Sequence, residues 1–332
     1  MKTARAFRAL VVAALIAPPA AAPAQAETQP APADTSGLAD LTPAELLVRA
    51  SSSALQYAAL SAPASRLLVA RHEESIPCLV SRLDTDDVRE RIAVEDVLFR
   101  IGEPAVGPLV EALSHEARRT DTTRGARLAA GVLGRIGSAS AVDALVAVHE
   151  HEDWKVRAAV AGALGGIGDP GSDRALVALL RDDVDIVRKS AAVSLAQVER
   201  KAPGTLDRVA ADALLAALGD PFYGVRYGAA GALAAAGGRV AADLVALARA
   251  GAGQESRLAV RTLGDMRWRR ALPALRALLR SPDWTMRAEA ADAIGMIGPD
   301  GASRGSLGRL LREEPHPLVR ALAAAAMGRA GR

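Results

Sequence analysis

The stretch DWKVRAAVAGALGGIG, residues 153–168, decides the fold of this chain. Numbered from Arg157 as position 0, its apolar residues fall at −1, +3, +6, +7 and +10, which is the spacing of one buried stripe on an α-helix. Gly168, at +11, is typical of the residue that ends such a helix. The stretch therefore predicts an amphipathic helix that must pack against a neighbour.

The same frame recurs along the chain. Four further arginines take the place of Arg157, at successive intervals of 31, 38, 61 and 33 residues: Arg188, Arg226, Arg287 and Arg320. The 61-residue interval is two periods, and the missing anchor falls at Ser256, where arginine has moved to Arg257. Upstream, the frame continues at Ala126, Arg91 and Ser61. These positions define one repeated unit.

A second helix precedes the anchored one in each unit. Six anchors have a leucine twelve residues before them: Leu79, Leu145, Leu176, Leu214, Leu244 and Leu275. A period near 30 residues that contains two helices predicts a solenoid in which each unit contacts only its neighbours. We expect an all-α superhelix of about eight to nine helical pairs, with alanine-rich second helices that account for the aromatic content of only 3%.

The repeated segments resemble a known family. DWKVR running to ALGGIGDP at residues 153–170, and DWTMR running to AIGMIGP at residues 283–299, are similar to HEAT repeats, above all to the short kind of the phycobilisome lyases. The resemblance covers about residues 60–332. It implies a right-handed α-α superhelix whose first helices form the convex wall and whose second helices form the concave wall.

The N-terminus has the composition of a targeting signal. Three basic residues within positions 1–8 precede the apolar run of residues 9–17, and small residues end at Ala26. A short core helix is the alternative, but Pro18 and Pro19 interrupt the apolar segment. We therefore predict a signal peptide over 1–26, a Pro/Ala-rich linker over 27–40 and a solenoid over 41–332 whose N-terminal cap is about 41–72. The chain is expected in the periplasm or secreted, without membrane insertion after cleavage.

The charge balance changes when the predicted signal is removed. The whole chain has 41 Lys and Arg against 38 Asp and Glu, whereas residues 27–332 have 38 of each. Sequence-independent binding to nucleic acid depends on clustered cations that release phosphate counterions. The neutral balance therefore argues against a nucleic-acid partner.

Few residues carry the pattern of a cofactor or metal site. Cys78 is the single cysteine, and it occupies a position that is alanine in other units, so we expect a small buried hydrophobe and weigh a reactive thiol as the alternative. His149 and His151 are two residues apart, which points them in different directions on a helix and argues against zinc. No cofactor is expected.

Two recurring positions have both a binding and a structural interpretation. Trp154, Tyr223 and Trp284 each stand three residues before an anchor, and they form either an exposed binding strip or rings packed over the next unit's turn. The packed alternative is favoured. The anchor arginines form either a basic ladder for an anionic ligand or, as we favour, structural hydrogen bonds to turn carboxylates and carbonyls.

The second helices present their +1, +5 and +9 positions to solvent, which is where we expect a partner. These positions include Arg100, Arg135, Lys189, Tyr227, Arg257, Arg261, Asp265 and Asp292. Their mixed signs suit a protein surface more than a polyanion. The favoured function is a non-enzymatic, exported scaffold that binds a protein or peptide on its concave face. The alternative, from the family resemblance, is a lyase-like enzyme or enzyme subunit acting on a tetrapyrrole-type ligand.

Overall fold

The computed structural model describes residues 35–329 except 36, 53, 55–57, 120–121 and 251–252. The predicted signal peptide and most of the predicted linker lie outside the described residues. The last linker residues, Leu38–Asp40, form a 3-10 turn that buries Leu38 at 4% exposure. These three residues therefore belong to the packed part of the chain.

The described residues form eighteen α-helices in nine consecutive pairs and contain no β-strand. The helices are α1 (Pro43–Ser51), α2 (Ser61–Ala70), α3 (His72–Val80), α4 (Val88–Ile101), α5 (Val106–Glu116), α6 (Arg124–Ile136), α7 (Val142–Ala147), α8 (Trp154–Ile167), α9 (Asp173–Leu179), α10 (Asp185–Lys201), α11 (Arg208–Ala217), α12 (Tyr223–Ala236), α13 (Ala241–Ala250), α14 (Gly253–Asp265), α15 (Leu272–Leu278), α16 (Trp284–Ile297), α17 (Gly301–Glu313) and α18 (Pro317–Arg329). The predicted all-α superhelix is confirmed. The predicted N-terminal cap coincides with the first pair.

The repeat frame places its apolar positions in the core. At +7, the second helices bury Leu68, Leu98, Leu133, Leu164, Leu195, Leu233, Leu263 and Ile294, each at most 1% exposed. The six leucines twelve residues before the anchors are all 0% exposed. Each pair thus contributes one layer to a single continuous core, as the sequence period requires.

Aspartate and glycine set the bounds of several second helices. The side chain of Asp153 accepts a hydrogen bond from Lys155 N at 2.9 Å, and Asp283 accepts one from Thr285 N at the same distance. These carboxylates satisfy backbone donors that have no partner within the helix. At the other end of α8, Gly168 adopts the left-handed conformation with φ 77°, in which a side chain would be strained.

Small residues allow the even-numbered helices to pack closely. A Cβ added to Gly134 in α6 would lie 2.5 Å from the Cα of Ala163 in α8, and one added to Gly264 in α14 would lie 2.9 Å from the Cα of Ala293 in α16. The even-numbered helices contact one another more extensively than the odd-numbered helices do. Because successive helices are closest on the inner side of an arc, the even-numbered layer is the concave side.

The anchor arginines tie each unit to the next. Three of them form two-pronged ion pairs with a carboxylate of the following unit, with Nε–O distances of 2.6–2.7 Å: Arg157 with Asp182, Arg188 with Asp220, and Arg287 with Glu314. Arg157 and the four arginines that follow it in the frame also donate from Nη1 to carbonyl oxygens five and six residues earlier, in their own turns. The hydrogen bonds that the sequence favoured over a ligand ladder are present.

Arg226 has a neutral partner instead of a carboxylate. The side-chain oxygen of Gln254 accepts from Nη2 of Arg226 at 2.8 Å and from Nε at 3.0 Å. Gln254 lies two residues before Ser256, in the unit where the repeat pattern is weakest. The connection between α12 and α14 is therefore made without a second charge.

Candidate functional site

A groove on the concave side runs between α10 and α12. It has a volume of about 470 Å³ and is lined by Lys189, Val193, Ala196, Arg200, Phe222, Tyr223, Gly224, Tyr227, Gly228 and Gly231. Gly224 and Gly228 let α12 approach α10 closely, and Gly231 leaves open space beside Arg200 at the end of the groove. This surface can accommodate an extended chain.

Two tyrosines form the aromatic side of the groove. The rings of Tyr223 and Tyr227 have centroids 4.2 Å apart and are inclined by 34°, and the side chains are 60% and 37% exposed. Nη1 of Arg261 donates to the Tyr227 hydroxyl at 3.3 Å. Burial, together with the neighbouring Tyr223, raises the pKa of Tyr227. Tyr227 is therefore neutral at neutral pH, and the pair presents two amphipathic rings.

The groove carries positive charge. Lys189 and Arg200 both line it, and neither forms an ion pair with another described residue. None of the described residues that line the groove is an aspartate or glutamate. Cations beside exposed tyrosines can engage both a carboxylate and an apolar or aromatic side chain of a ligand.

A patch of mixed charge continues from the groove onto α14 and α16. Arg257 approaches Asp283 at 3.8 Å and donates to the Thr285 hydroxyl at 3.3 Å. Burial raises the pKa of Asp265, and the nearby Asp292 raises it further, against the influence of Arg261. Opposite charges therefore stand side by side on this part of the concave surface.

Glu289 also belongs to this patch, at a position that the repeat frame did not assign to the partner surface. Burial raises the pKa of its carboxyl, while Arg261 and Arg257 act in the opposite direction. The structure therefore joins six of the eight predicted partner-binding residues, from Lys189 to Asp292, into one surface with the groove at one end.

Arg100 and Arg135 occupy a separate place on α4 and α6. Arg100 pairs with Asp96 at 3.5 Å, and Arg135 pairs with Glu95 at 2.8 Å while its guanidinium lies 4.3 Å from the centre of the Phe99 ring. Phe99 occupies position +8 of the repeat frame in α4, whereas the same position in α6 is Gly134. Because the ring is larger than a glycine, α4 and α6 contact each other less than α6 and α8 do. These two arginines are remote in sequence from the groove and already have partners.

The three recurring aromatics behave differently from one another. Trp284 stacks on His316 in the next unit's turn, with ring centres 3.8 Å apart, as the packed alternative requires. Trp154 is half-buried against the core. Tyr223 instead turns to Tyr227 on its own helix and remains exposed. Tyr223 is therefore the most exposed of the three rings, and Trp284 stays 40% exposed although it stacks on His316.

The residues considered for redox or metal chemistry have structural roles. Cys78 is half-buried, less than the full burial expected of it, and burial raises the pKa of its thiol, which lowers its reactivity. His151 accepts from Asp153 N at 2.9 Å and contacts the carbonyl of Ala117 at 3.0 Å. No group of three potential metal ligands occurs in the part of the chain that the structure describes.

Sequence reasoning missed three residues of this surface. Val193 is 38% exposed and stands at +5, a position that the frame did assign to solvent. Arg200 follows at +12, beyond the range that was considered, and Glu289 at +2 lies at the edge of the predicted face. A search for uncharged as well as charged residues at +5 would have found Val193.

The chain resembles known proteins in sequence pattern and in fold. A family model described as HEAT repeats matches residues 110–196 and 243–328, and no curated protein matches the chain. Kap95p, in a structure of its binding to RanGDP, is 15% identical to this chain with a TM-score of 0.59. The similarity covers 87% of this chain but only 44% of Kap95p. CpcE and CpcF of phycocyanin lyase from Nostoc sp. PCC7120 are 20% identical with a TM-score of 0.39, over 77% of this chain and 94% of that chain. The Kap95p similarity supports the helical solenoid alone.

Proposed function

This chain belongs to the HEAT-repeat family, and from that premise we propose that it is a non-enzymatic, exported scaffold that binds an extended segment of another protein on its concave face. The groove between α10 and α12 is the centre of the proposed site. The proposal rests on one observation: the exposed Tyr223 and Tyr227 line a groove together with Lys189 and Arg200, and no described residue in its lining is a carboxylate.

The groove supports a particular kind of partner. Tyrosine and arginine are the residues most often responsible for binding energy at protein interfaces, because they combine a large contact area with a polar end. Lys189 and Arg200 favour acidic side chains in the partner. Gly231 leaves room for the partner's backbone, because a Cβ added there would meet only the Arg200 guanidinium, at 3.9 Å. We therefore propose an extended acidic segment that contributes at least one aromatic or aliphatic side chain.

The patch on α14 and α16 supports specificity. Arg257, Arg261, Asp265 and Asp292 lie along the continuation of the groove and carry both signs of charge. Charges at the edge of an interface select partners and orient them more than they add affinity. A partner that continues along the patch needs a basic residue after its acidic stretch.

Fluorescent peptides of twelve residues test this function directly. Three matched sets are compared by polarisation: acidic peptides containing Tyr or Leu, the same peptides with Asn and Gln in place of the acids, and basic versions. We expect the acidic set to bind most tightly. Tyr227→Ala and Arg200→Glu should each weaken that binding by about tenfold or more, the effect of a residue worth over about 1.4 kcal/mol.

Arg135→Ala is the matched control, because Arg135 is also a concave-side arginine against an aromatic ring but lies on α6. The affinity of the Arg135→Ala variant for the acidic peptides should stay at the wild-type value. Equal binding of the three peptide sets, or an unchanged affinity in Tyr227→Ala, would remove the groove from the proposal.

Export is a separate part of the proposal and rests on residues 1–26. The positive start, short apolar run and small residues before Glu27 have the organisation of a cleavable secretory signal. None of the described helices combines the length and apolar character needed to span a membrane. N-terminal sequencing of the protein recovered from a bacterial host should find Glu27 as the first residue, and an intact N-terminus in the cytoplasmic fraction would contradict export.

A further inference from the structure

Charge is segregated along the solenoid although residues 27–332 are neutral as a whole. Residues 27–120 contain 9 Lys and Arg against 15 Asp and Glu, residues 121–265 contain 17 of each, and residues 266–332 contain 12 against 6. The two ends therefore carry equal and opposite net charges of −6 and +6 about a balanced centre. Surfaces of opposite charge attract and orient each other during association.

The positive charge lies on the outer, odd-numbered layer of the last two pairs. A cleft of about 160 Å³ between α15 and α17 is lined by four arginines and two glutamates, with apolar residues and Ser306 between them: Arg276, Arg280, Arg287, Arg309, Glu313, Glu314, Leu279 and Leu310. Arg276 pairs with Asp300 at 3.1 Å. Arg280 and Arg309 are exposed and form no ion pair with any other described residue. Glu314 pairs with Arg287, and the exposed Glu313 also faces the cleft, so the arginines outnumber the acids in its lining by four to two.

The negative end presents a groove of complementary character on the same outer layer. The groove lies between α3 and α5, has a volume of about 560 Å³, and is lined by Ile76, Pro77, Val80 and Pro108 along its apolar part. Glu111 lines it as well, and it is exposed without an ion pair in the described part of the chain. An apolar floor with an acidic border thus stands at one end of the molecule, and leucines bordered by arginines stand at the other.

Glu73 extends the acidic border. It lies in the first turn of α3, is exposed, and likewise forms no ion pair with a described residue. Its neighbour Glu74 is engaged with Arg71 at 2.7 Å. Glu73 and Glu111 are thus two exposed acids of the second and third pairs that form no ion pair with a described residue.

We propose that the arginine cleft between α15 and α17 of one copy docks on the acidic groove between α3 and α5 of a second copy. The occupant is inferred from charge complementarity: the same chain carries both surfaces, with matched net charge and with apolar residues in each. A contact between two different surfaces at opposite ends is heterologous, so it propagates into open chains of molecules. The proposal does not depend on the concave groove, which stays free in this arrangement.

Sedimentation velocity of the chain from Glu27 onward tests the proposal. The average sedimentation coefficient should rise with protein concentration in 20 mM NaCl, and the apparent dissociation constant should increase by about tenfold or more in 300 mM NaCl, because salt screens exposed charges. A sedimentation coefficient that stays at the monomer value at both salt concentrations would overturn the proposal.

Charge reversal distinguishes this contact from other associations. Arg280→Glu with Arg309→Glu reverses the charge of the two unpaired side chains at the cleft, and Glu73→Arg with Glu111→Arg reverses the charge of the two unpaired side chains at the acidic groove. Each double variant should remain monomeric alone, while an equimolar mixture of the two should associate again. Circular dichroism melting of each variant establishes that it is folded. Association of either variant alone, or a folded mixture that stays monomeric, would refute the docking.

An anionic surface is the competing occupant of the arginines. Vesicles containing phosphatidylglycerol and heparin serve as probes for lipid and for polyanions. The wild-type protein could stay monomeric in 20 mM NaCl and bind one of the probes, with binding lost in the variant Arg280→Glu, Arg309→Glu. That result would assign the cleft to that class of ligand and exclude a second copy.

Discussion

Replacing Gly134 with alanine should force α6 and α8 apart. The new Cβ would lie 2.5 Å from the Cα of Ala163, 2.9 Å from its Cβ and 3.2 Å from its carbonyl oxygen. Carbon atoms in contact normally stand about 3.5–4.0 Å apart, so the two helices must separate by about 1 Å. The nearest atom belongs to the backbone of α8, and no side-chain rotation can relieve the clash.

The expected magnitude follows from two opposing effects. Alanine in place of glycine within a helix stabilises by about 1 kcal/mol, and overpacking a close contact costs about 1–3 kcal/mol. Gly131 in the same helix is the matched control, because a Cβ added there meets no atom within 4 Å. Gly131→Ala should therefore be more stable than wild type, and Gly134→Ala should be less stable than Gly131→Ala by about 2 kcal/mol or more.

Urea unfolding followed by circular dichroism measures both variants against wild type. Midpoints are compared first, since solenoids can unfold through partly folded states. Adding Ala163→Gly to Gly134→Ala should restore little stability, because the Cα remains in place. Equal midpoints for the two alanine variants, or full recovery in the double variant, would refute the conclusion that backbone contact limits the spacing of α6 and α8.

Three further predictions concern charged residues. In a double-mutant cycle measured by urea unfolding, Arg188→Ala and Asp220→Ala should each destabilise the fold by about 2–3 kcal/mol, because each leaves a half-buried charged partner unpaired. The coupling energy between the two substitutions should be at least about 1 kcal/mol. Additive losses would contradict the ion pair. Gln254→Glu gives Arg226 a charged partner and should raise the melting temperature at low salt, with a smaller gain in 500 mM NaCl. Burial, with nearby acids, raises the pKa of Asp173 to about 6, so its ionisation destabilises the fold as pH rises from about 4 to 6. Asp173→Asn should therefore stabilise by about 1 kcal/mol at pH 7.5, after allowance for solvent screening, and by almost nothing at pH 4; an equal gain at both pH values would disprove the assignment.

Much of the fold follows from the period of the sequence. The anchors, the leucines twelve residues before them and the glycines that end the helices depend on contacts within a unit, which every repeat makes in the same way. Asp153 and Asp283 likewise cap their helices through hydrogen bonds to residues two positions later. Local interactions of this kind can be recognised from one sequence.

The candidate site depends on contacts between units, and the repeat frame alone does not determine them. Trp284 and Tyr223 occupy the same repeat position, yet Trp284 packs on His316 whereas Tyr223 packs on Tyr227 and stays exposed. The difference arises because each ring responds to whichever residues its neighbouring turn provides. Similarly, Lys189 and Arg200 line one groove only because of the way α10 packs against α12, which the repeat frame does not determine.

The anchor arginines show how variation in one unit is constrained by the next. The residue six positions before an anchor accepts a backbone N–H two residues later whether it is an acid, as in Asp182, or not, as in Ser281 and His151. An acid at this position has a second role, since it receives the arginine of the preceding unit. Where it is Ser281 or His151, the preceding anchor is Ser256 or Ala126, so neither of these two turns follows an anchor arginine.

Each anchor and the turn of the following unit therefore behave as one structural element. A buried guanidinium without a carboxylate is costly, whereas loss of both partners can be nearly neutral. This asymmetry allows the repeat to lose arginine and acid together and penalises the loss of either one. Arg226 shows the intermediate case, because Gln254 satisfies its donors without charge. The junction with that neutral link, between α12 and α14, is also where the exposed tyrosines and the mixed-charge patch meet. The least regular part of the solenoid thus carries its most distinctive surface.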